Sequence, residues 1–202
     1  EWLGRPVVAG QRIMRIAEPN DKEIEAWLPV ADAIVLPDAA GVRLYLKKED
    51  AALLGQPFKK TTQLAADLIG EFEPPKGVAV RVLFDSYYLC PTVVKACQPK
   101  GFRFVSTLKS NRNLYKHGRK LKVGAYGWGL FGRRPKKTCH IEKTGGSADY
   151  TYVDAGWIKV SDLGQLHVIF SRKNRDKKVL GIVTDDPKMS AGQMIRMYDE
   201  RW

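Results

Sequence analysis

The order of apolar and polar residues along the chain predicts an alternation of strands and helices. Residues 27–36 and 41–46 are rich in apolar and β-branched side chains and flank a short turn, which is typical of a hairpin. Residues 62–72 instead repeat apolar side chains every three or four positions, as the buried face of a helix does. The apolar run at 78–84 then predicts a strand that is buried on both faces. A helix between strands indicates a layered α/β fold.

A second helix and a further strand follow in the middle of the chain. Residues 91–97 are predicted to be helical, because Pro91 suits the first turn of a helix and Gly101 suits the position just after its end. Residues 102–108 return to an apolar strand pattern. These elements continue the α/β alternation.

The last part of the chain is predicted to be rich in strands before it ends in a helix. Residues from about 122 to 168 contain many glycines and aromatic side chains with alternating stretches, which favours a β-rich insertion within the main sheet. Residues 166–171 and 179–184 flank a turn-like segment and are expected to form a hairpin. Ser190 and Gln193 have the spacing of a capping box at the start of the final helix.

The size and composition indicate one globular domain. The chain has 202 residues, of which 44% are hydrophobic and 28% are charged, so a single folded domain over residues 1–202 is the simplest interpretation. No apolar run approaches the length of a membrane span, so no membrane partner is expected. Three cysteines without metal-ligand spacing are typical of a reducing compartment, and a cytoplasmic location is expected.

The charge distribution changes this picture, because it indicates a polyanionic partner. The net charge is +12, and no Asp or Glu occurs from Ser86 through Ile141. That stretch holds thirteen cations: Lys95, Lys100, Arg103, Lys109, Arg112, Lys116, Arg119, Lys120, Lys122, Arg133, Arg134, Lys136 and Lys137. Positively charged side chains in one stretch repel each other unless a polyanion neutralises them. Binding of DNA or RNA is therefore favoured over a merely solvated surface.

One carboxylate stands where chemistry is expected in an α/β sheet. Asp85 follows the apolar run at 78–84 directly, and ligands in open α/β sheets bind beyond the carboxyl ends of the strands. A carboxylate there is suited to Mg²⁺, or Mn²⁺ in its place, and such ions support phosphodiester cleavage. The alternative is that Asp85 only caps a turn or the following helix.

Two sequence blocks resemble a known family. The run Val-Leu-Phe-Asp-Ser-Tyr-Tyr at 82–88 and the segment 101–115 are similar to the central block of bacterial insertion-sequence transposases with a DDE-type catalytic domain. The resemblance extends to residues 41–46, 58–61 and 180–186. The resemblance implies a ribonuclease-H-like mixed sheet flanked by helices, with a β-rich insertion before the last catalytic helix. It also implies that Asp85 is the second of three metal-binding acids.

The final helix is similar to the start of the family signature Tyr-x-x-Arg-x-x-x-Glu. Tyr198 and Arg201 match its first two positions, whereas the Glu would fall three residues beyond Trp202. The first acid is expected upstream of Glu1, with Asp32 and Asp38 as the alternatives within the chain. The resemblance thus implies a fragment that holds one of three catalytic acids and is inert alone.

The resemblance implies cleavage and strand transfer on double-stranded DNA, at the ends of the element and at its target. We expect Lys109, Arg112 and Lys116 to hold the DNA backbone, while for Lys60 a solvated surface is an equal alternative. Trp128 is a candidate for stacking on an unpaired base, although buried packing is the favoured interpretation. A homodimer of the full-length protein is compatible with the resemblance, but no residue pattern in this chain indicates a dimer surface. The rival hypothesis is a non-catalytic nucleic-acid-binding domain or an inactive transposon remnant.

Overall fold

The computed structural model divides the chain into two compact units, Glu1–Lys47 and Lys48–Trp202. The structure describes residues 14–17, 23–26, 57–143, 146–174 and 176–199. In the first unit, strand β1 (Met14–Ala17) pairs antiparallel with strand β2 (Glu23–Ala26). The hairpin predicted at residues 27–36 and 41–46 lies outside the described residues.

The second unit contains the remaining described helices and strands. The helices are α1 (Thr61–Glu71), α2 (Pro91–Cys97), α3 (Val123–Arg133) and α4 (Ala191–Asp199), with a 3₁₀ turn at Gln98–Lys100. The strands are β3 (Arg81–Phe84), β4 (Arg103–Leu108), β5 (Asn113–Lys116), β6 (Arg119–Lys122), β7 (Lys137–Lys143), β8 (Gly146–Val160), β9 (Gly164–Lys173) and β10 (Leu180–Thr184).

These eight strands form one mixed sheet. Its order is β3-β4-β10-β9-β8-β5-β6, and β7 pairs with the first half of β8. β3 and β4 are parallel, and the other described pairs are antiparallel. Helix α2 makes the crossover between β3 and β4, as a parallel pair requires. The prediction of an α/β fold with a mixed sheet flanked by helices is confirmed.

Helices cover both faces of the sheet. Along β9, Val168 and Phe170 lie in a core that also contains residues of α2 and α3, whereas Ile169 lies in a second core with Met194 and Ile195 of α4. Neighbouring strand residues point to opposite faces, so α4 lies opposite α2 and α3. Met194 and Ile195 are fully buried, and burial of each such side chain contributes about 1.5–3 kcal/mol.

Strand β3 is shorter and more exposed than the sequence predicts. It begins at Arg81 rather than at residue 78, and Val78 is 54% exposed. Within β3 only Phe84 is buried, because β3 is the terminal strand of the described sheet and has a described neighbour on one edge alone. The apolar run predicted correctly that a strand forms, but it did not predict the position of that strand at the edge.

Helix α3 lies within the segment predicted to be rich in strands. Residues 123–133 are helical despite four glycines, while residues 137–143, 146–160 and 164–173 are strands. A Cβ atom on Gly127 would come within 2.4 Å of the Phe170 ring. The glycine therefore allows α3 to approach β9 closely, a tertiary reason that local propensity does not reveal.

The predicted hairpin and two predicted helices are confirmed. β9 and β10 pair antiparallel, with Ile169 opposite Ile182. α2 spans Pro91–Cys97, and Gly101 adopts a left-handed conformation with φ of 65° just after it. α1 begins one residue earlier than predicted.

None of the described helices is long and apolar enough to cross a membrane.

Candidate active site

A cleft of about 540 Å³ lies at the end of the sheet where β3 and β4 finish and β10 begins. Because β3 and β4 are parallel, their carboxyl ends lie side by side, and the antiparallel pairing of β10 sets Gly181 opposite Leu108 at the same end. The polar side chains of its lining include Asp85, Lys109, Ser110, Asn111, Lys178 and Tyr198. Three residues singled out from the sequence, Asp85, Lys109 and Tyr198, therefore share one cleft.

Asp85 is held at the end of β3 by hydrogen bonds from the following turn. Its Oδ1 accepts the backbone N–H of Tyr87 at 2.7 Å and that of Tyr88 at 3.4 Å. Its backbone carbonyl accepts a hydrogen bond of 3.2 Å from the Ser106 hydroxyl on β4. Among the described residues no donor contacts Oδ2. One carboxylate oxygen is thus fixed, and the other is available to a ligand.

Lys109 lies at the end of β4, next to the turn that follows Asp85. Its Nζ is 5.5 Å from the centroid of the Tyr87 ring, which is a cation–π distance. The Tyr87 hydroxyl in turn is 2.9 Å from the Thr61 hydroxyl at the start of α1. The first contact places the ammonium group of Lys109 over the Tyr87 ring, while Lys109 as a whole remains exposed to solvent.

Tyr198 reaches the cleft from the last turn of α4. The helix begins with the predicted capping box, in which Ser190 N–H donates to Gln193 Oε1 at 2.8 Å and Gln193 N–H donates to the Ser190 hydroxyl at 3.3 Å. At its other end Asp199 is buried and accepts a hydrogen bond from the Tyr150 hydroxyl. Burial, followed by that hydrogen bond to Asp199, raises the pKa of Tyr150 above its ordinary value.

The other predicted DNA-binding cations lie elsewhere. Arg112 donates to the carbonyls of Leu89 at 2.7 Å and Ser161 at 3.2 Å. Lys116 donates to the carbonyl of Ala155 at 3.2 Å. Neither side chain lines the cleft. Arg112 and Lys116 are therefore engaged in holding the fold.

Two further predicted site residues lie apart from this group. Lys60 is exposed at the start of α1, where its backbone N–H donates to Gln63 Oε1 at 2.8 Å. Lys60 does not line the cleft. Arg201 lies outside the described residues. Trp128 is 53% exposed on α3, so the favoured interpretation of buried packing was wrong.

The acidic pair Asp185 and Asp186 lies at the opposite end of the sheet. Arg81 forms an ion pair with Asp186 at 2.9 Å, and the backbone N–H of Phe104 donates to Asp185 Oδ1 at 2.9 Å. Burial alone would raise the pKa of Asp186, but hydrogen bonds from Lys188 N–H and Arg81 outweigh it and lower that pKa. These carboxylates tie β10 to β3 and β4 and take no part in the cleft.

Asp85 is the one acidic side chain among the described lining residues of the cleft. Within the ranges that the structure covers, no group of three or more His, Cys, Asp or Glu side chains is placed to hold one. Mg²⁺ commonly takes one or two carboxylates and completes its shell with water and substrate phosphate. The available oxygen of Asp85 in a polar cleft fits one such ligand.

Sequence reasoning missed Lys178 as a lining residue of the cleft. This lysine lies just before β10, and it reaches the site because β10 runs antiparallel to β4. Only the strand order, which no local pattern reveals, brings it next to the end of β4.

No family model matches this chain, and no curated protein is significantly similar to it.

Proposed function

We propose that the chain is the central part of the catalytic domain of a DDE-type bacterial insertion-sequence transposase. Such an enzyme cuts DNA at the ends of its element and joins the freed 3′-hydroxyl to target DNA. The observation that carries the proposal is the convergence of Asp85, Lys109 and Tyr198 on one cleft at the carboxyl ends of two parallel strands. The sequence blocks that resemble the family contain all three residues.

The arrangement of the sheet supports the further proposal that the α/β fold is ribonuclease-H-like. A parallel strand pair with a crossover helix, continued by antiparallel strands and covered by helices on both faces, is compatible with that class. The proposed acid follows the first strand of the parallel pair, where ligands of open α/β sheets bind.

The charge of the cleft supports phosphate as the substrate. Lys109 and Lys178 are exposed cations on its lining, and Asp85 is the sole carboxylate among its described lining residues. Cationic side chains that contact DNA phosphates contribute affinity that does not depend on base sequence. The Ser110 hydroxyl can donate a further hydrogen bond to a phosphate oxygen.

In this proposal Asp85 provides an oxygen ligand to Mg²⁺ or Mn²⁺. A bound divalent ion would activate the attacking water and stabilise the leaving oxygen of the phosphodiester. Lys109 holds the phosphate next to Asp85, and Tyr198 fixes the DNA strand from the side of α4. No covalent intermediate with the protein is required, because positioning and electrostatics carry the reaction.

One observation favours the rival, a non-catalytic nucleic-acid-binding domain. The hydrogen bond from Tyr87 N–H to Asp85 Oδ1 is an Asx turn, an arrangement that Asp adopts for purely structural reasons. In that case the cationic surface alone carries the function.

Strand cleavage separates the two proposals. Full-length protein containing this chain would be incubated with Mg²⁺ and a duplex that carries the ends of the element. We expect Asp85→Asn to lower the cleavage rate by at least about 100-fold, as loss of a charge-stabilising group does, while binding of the duplex persists. The matched control is Asp162→Asn, because Asp162 lies in the β8–β9 turn at φ 66°, which Asn tolerates, and outside the cleft. Equal cleavage by both variants favours the rival.

A further inference from the structure

The second half of the sheet has one covered face and one open face. On strands β5, β8 and β9, Leu114, Ile158 and Leu166 are buried in the core that contains α3. On the other face, beyond the part that α4 covers, Trp157 is 48% exposed and Tyr115 is 36% exposed. The side chain of His167 on the same face is half-buried. We call this surface, formed by Tyr115, Lys120, Lys122, Trp157, Lys159 and His167, the open face.

Aromatic and cationic side chains alternate across the open face. Lys159 on β8 pairs with Tyr115 on β5, which pairs with Lys120 on β6. Trp157 on β8 pairs with His167 on β9. Cross-strand partners share one face of a sheet, so these five residues form a continuous patch.

The two exposed rings are held in fixed orientations. Trp157 stacks on the His167 ring with centroids 5.7 Å apart and an interplanar angle of 22°. The imidazole Nε2 is 2.9 Å from Asp154 Oδ1, which also accepts the backbone N–H of Gly156 at 2.8 Å. Lys159 Nζ lies 6.0 Å from the centroid of the Tyr115 ring. The outer side of the Trp157 ring is thus an oriented flat surface that faces solvent.

The charge of the open face is positive, and the face reaches the cleft. Lys120, Lys122 and Lys159 are exposed, whereas the nearby acid, Asp154, is engaged by His167. Lys122 Nζ donates at 2.9 Å to the carbonyl of Asn111, a residue that lines the cleft. A DNA strand leaving the cleft can therefore pass onto the open face.

We propose that the open face binds single-stranded DNA, with unpaired bases stacked on Trp157 and Tyr115 and phosphates bound by the lysines. This inference rests on the proposed function, which makes DNA the substrate of the adjoining cleft. Aromatic rings interleaved with cations bind single strands because every base has a flat face, whereas bases paired in a duplex are already stacked. Trp157 and Tyr115 are diagonal neighbours at roughly 7–8 Å, so two bases of one strand can be accommodated.

Fluorescence anisotropy in metal-free buffer tests the proposal. The two probes are a labelled single strand of DNA and the same strand in a duplex. The single strand has about 16 nucleotides, the upper site size of common single-strand-binding folds. We expect Trp157→Ala and Tyr115→Ala each to weaken binding of the single strand by about 10-fold, with little change for the duplex. Trp157→Phe should retain most of the affinity, because it keeps a stacking ring.

Phe72→Ala is the matched control, because Phe72 is an aromatic residue that is 52% exposed and follows α1, outside the open face. Circular dichroism establishes that each variant is folded. Wild-type affinity of both Trp157→Ala and Tyr115→Ala for the single strand overturns the proposal, as does an equal loss in Phe72→Ala. If Trp157→Ala instead converts a dimer to a monomer in sedimentation, the open face binds a second copy and the proposal fails. Binding of the duplex without binding of the single strand overturns this inference alone, whereas binding of neither also removes the proposed function.

Discussion

The Tyr150 hydroxyl donates a hydrogen bond of 2.5 Å to Asp199 Oδ1, and this bond ties the end of α4 to strand β8. Both residues are buried, and Asp199 directly follows Tyr198 of the cleft. The bond therefore fixes the direction in which the last turn of α4 enters the site. A buried carboxylate that loses such a donor retains the cost of its desolvation.

Tyr150→Phe removes this bond without creating a large cavity. We expect the free energy of unfolding at neutral pH to fall by about 1.5–3 kcal/mol, the usual contribution of a hydrogen bond to a charged group. Chemical denaturation followed by circular dichroism measures it. Tyr152→Phe, two residues along β8, is the control and should change stability by less than about 0.5 kcal/mol. Equal losses in the two variants would contradict the assignment.

The same bond predicts a dependence on pH. The pKa of Tyr150 is raised above its unfolded value of 10.0, first by burial and then by Asp199. Its contribution to stability is therefore complete below pH 10 and is lost as the pH rises through the folded pKa. The stability difference between wild type and Tyr150→Phe should narrow above pH 10. A constant difference there would show that the hydroxyl does not titrate with folding.

The close approach of α3 to β9 is tested by two glycines of one helix. In Gly127→Ala the new methyl group meets Phe170, so we expect a loss of about 1–3 kcal/mol in the free energy of unfolding. In Gly132→Ala no atom lies within 4 Å of the new methyl group, and a gain of about 0.5–1 kcal/mol is expected from the better helix propensity. Denaturation curves in urea distinguish the two. Similar effects of both substitutions would rule out a close approach of α3 to Phe170 at Gly127.

The local patterns predicted most elements but not their surroundings. Pro91 with Gly101, and Ser190 with Gln193, marked helix ends correctly because capping depends on neighbouring residues alone. Helix α3 was missed because four glycines argue against a helix, and the tertiary reason for one of them, the approach of Gly127 to Phe170, involves a residue far along the chain.

The candidate site could be predicted only in part, for the same reason. Asp85 and Lys109 follow adjacent parallel strands, so their proximity can be inferred once the sheet is assumed. Arg112 shows the limit of that reasoning. In sequence it resembles Lys109, but its guanidinium group bridges two backbone carbonyls, which only the folded chain brings together.

Lys109 and Arg112 should therefore respond differently to substitution. Lys109→Ala should weaken binding of duplex DNA regardless of the DNA sequence. It should also lower the slope of the log binding constant against log salt concentration by about 1, because one phosphate contact is lost. Arg112→Ala should lower the free energy of unfolding by about 1.5–3 kcal/mol, because it leaves the carbonyls of Leu89 and Ser161 without a donor. Salt titrations of anisotropy and denaturation curves measure the two effects. A Lys109 variant with unchanged salt dependence would remove that residue from the proposed site.

The central claim, that Asp85 is a metal ligand, is tested most directly by changing the metal together with the ligand atom. Mg²⁺ favours oxygen ligands, whereas Mn²⁺, a transition metal, accepts a thiolate more readily. With full-length protein and a duplex carrying the ends of the element, we predict that Asp85→Cys fails to cut with Mg²⁺ and regains cleavage with Mn²⁺, while Asp85→Asn fails with both. Cleavage by the Asp85→Asn protein at the wild-type rate with either ion would contradict the account.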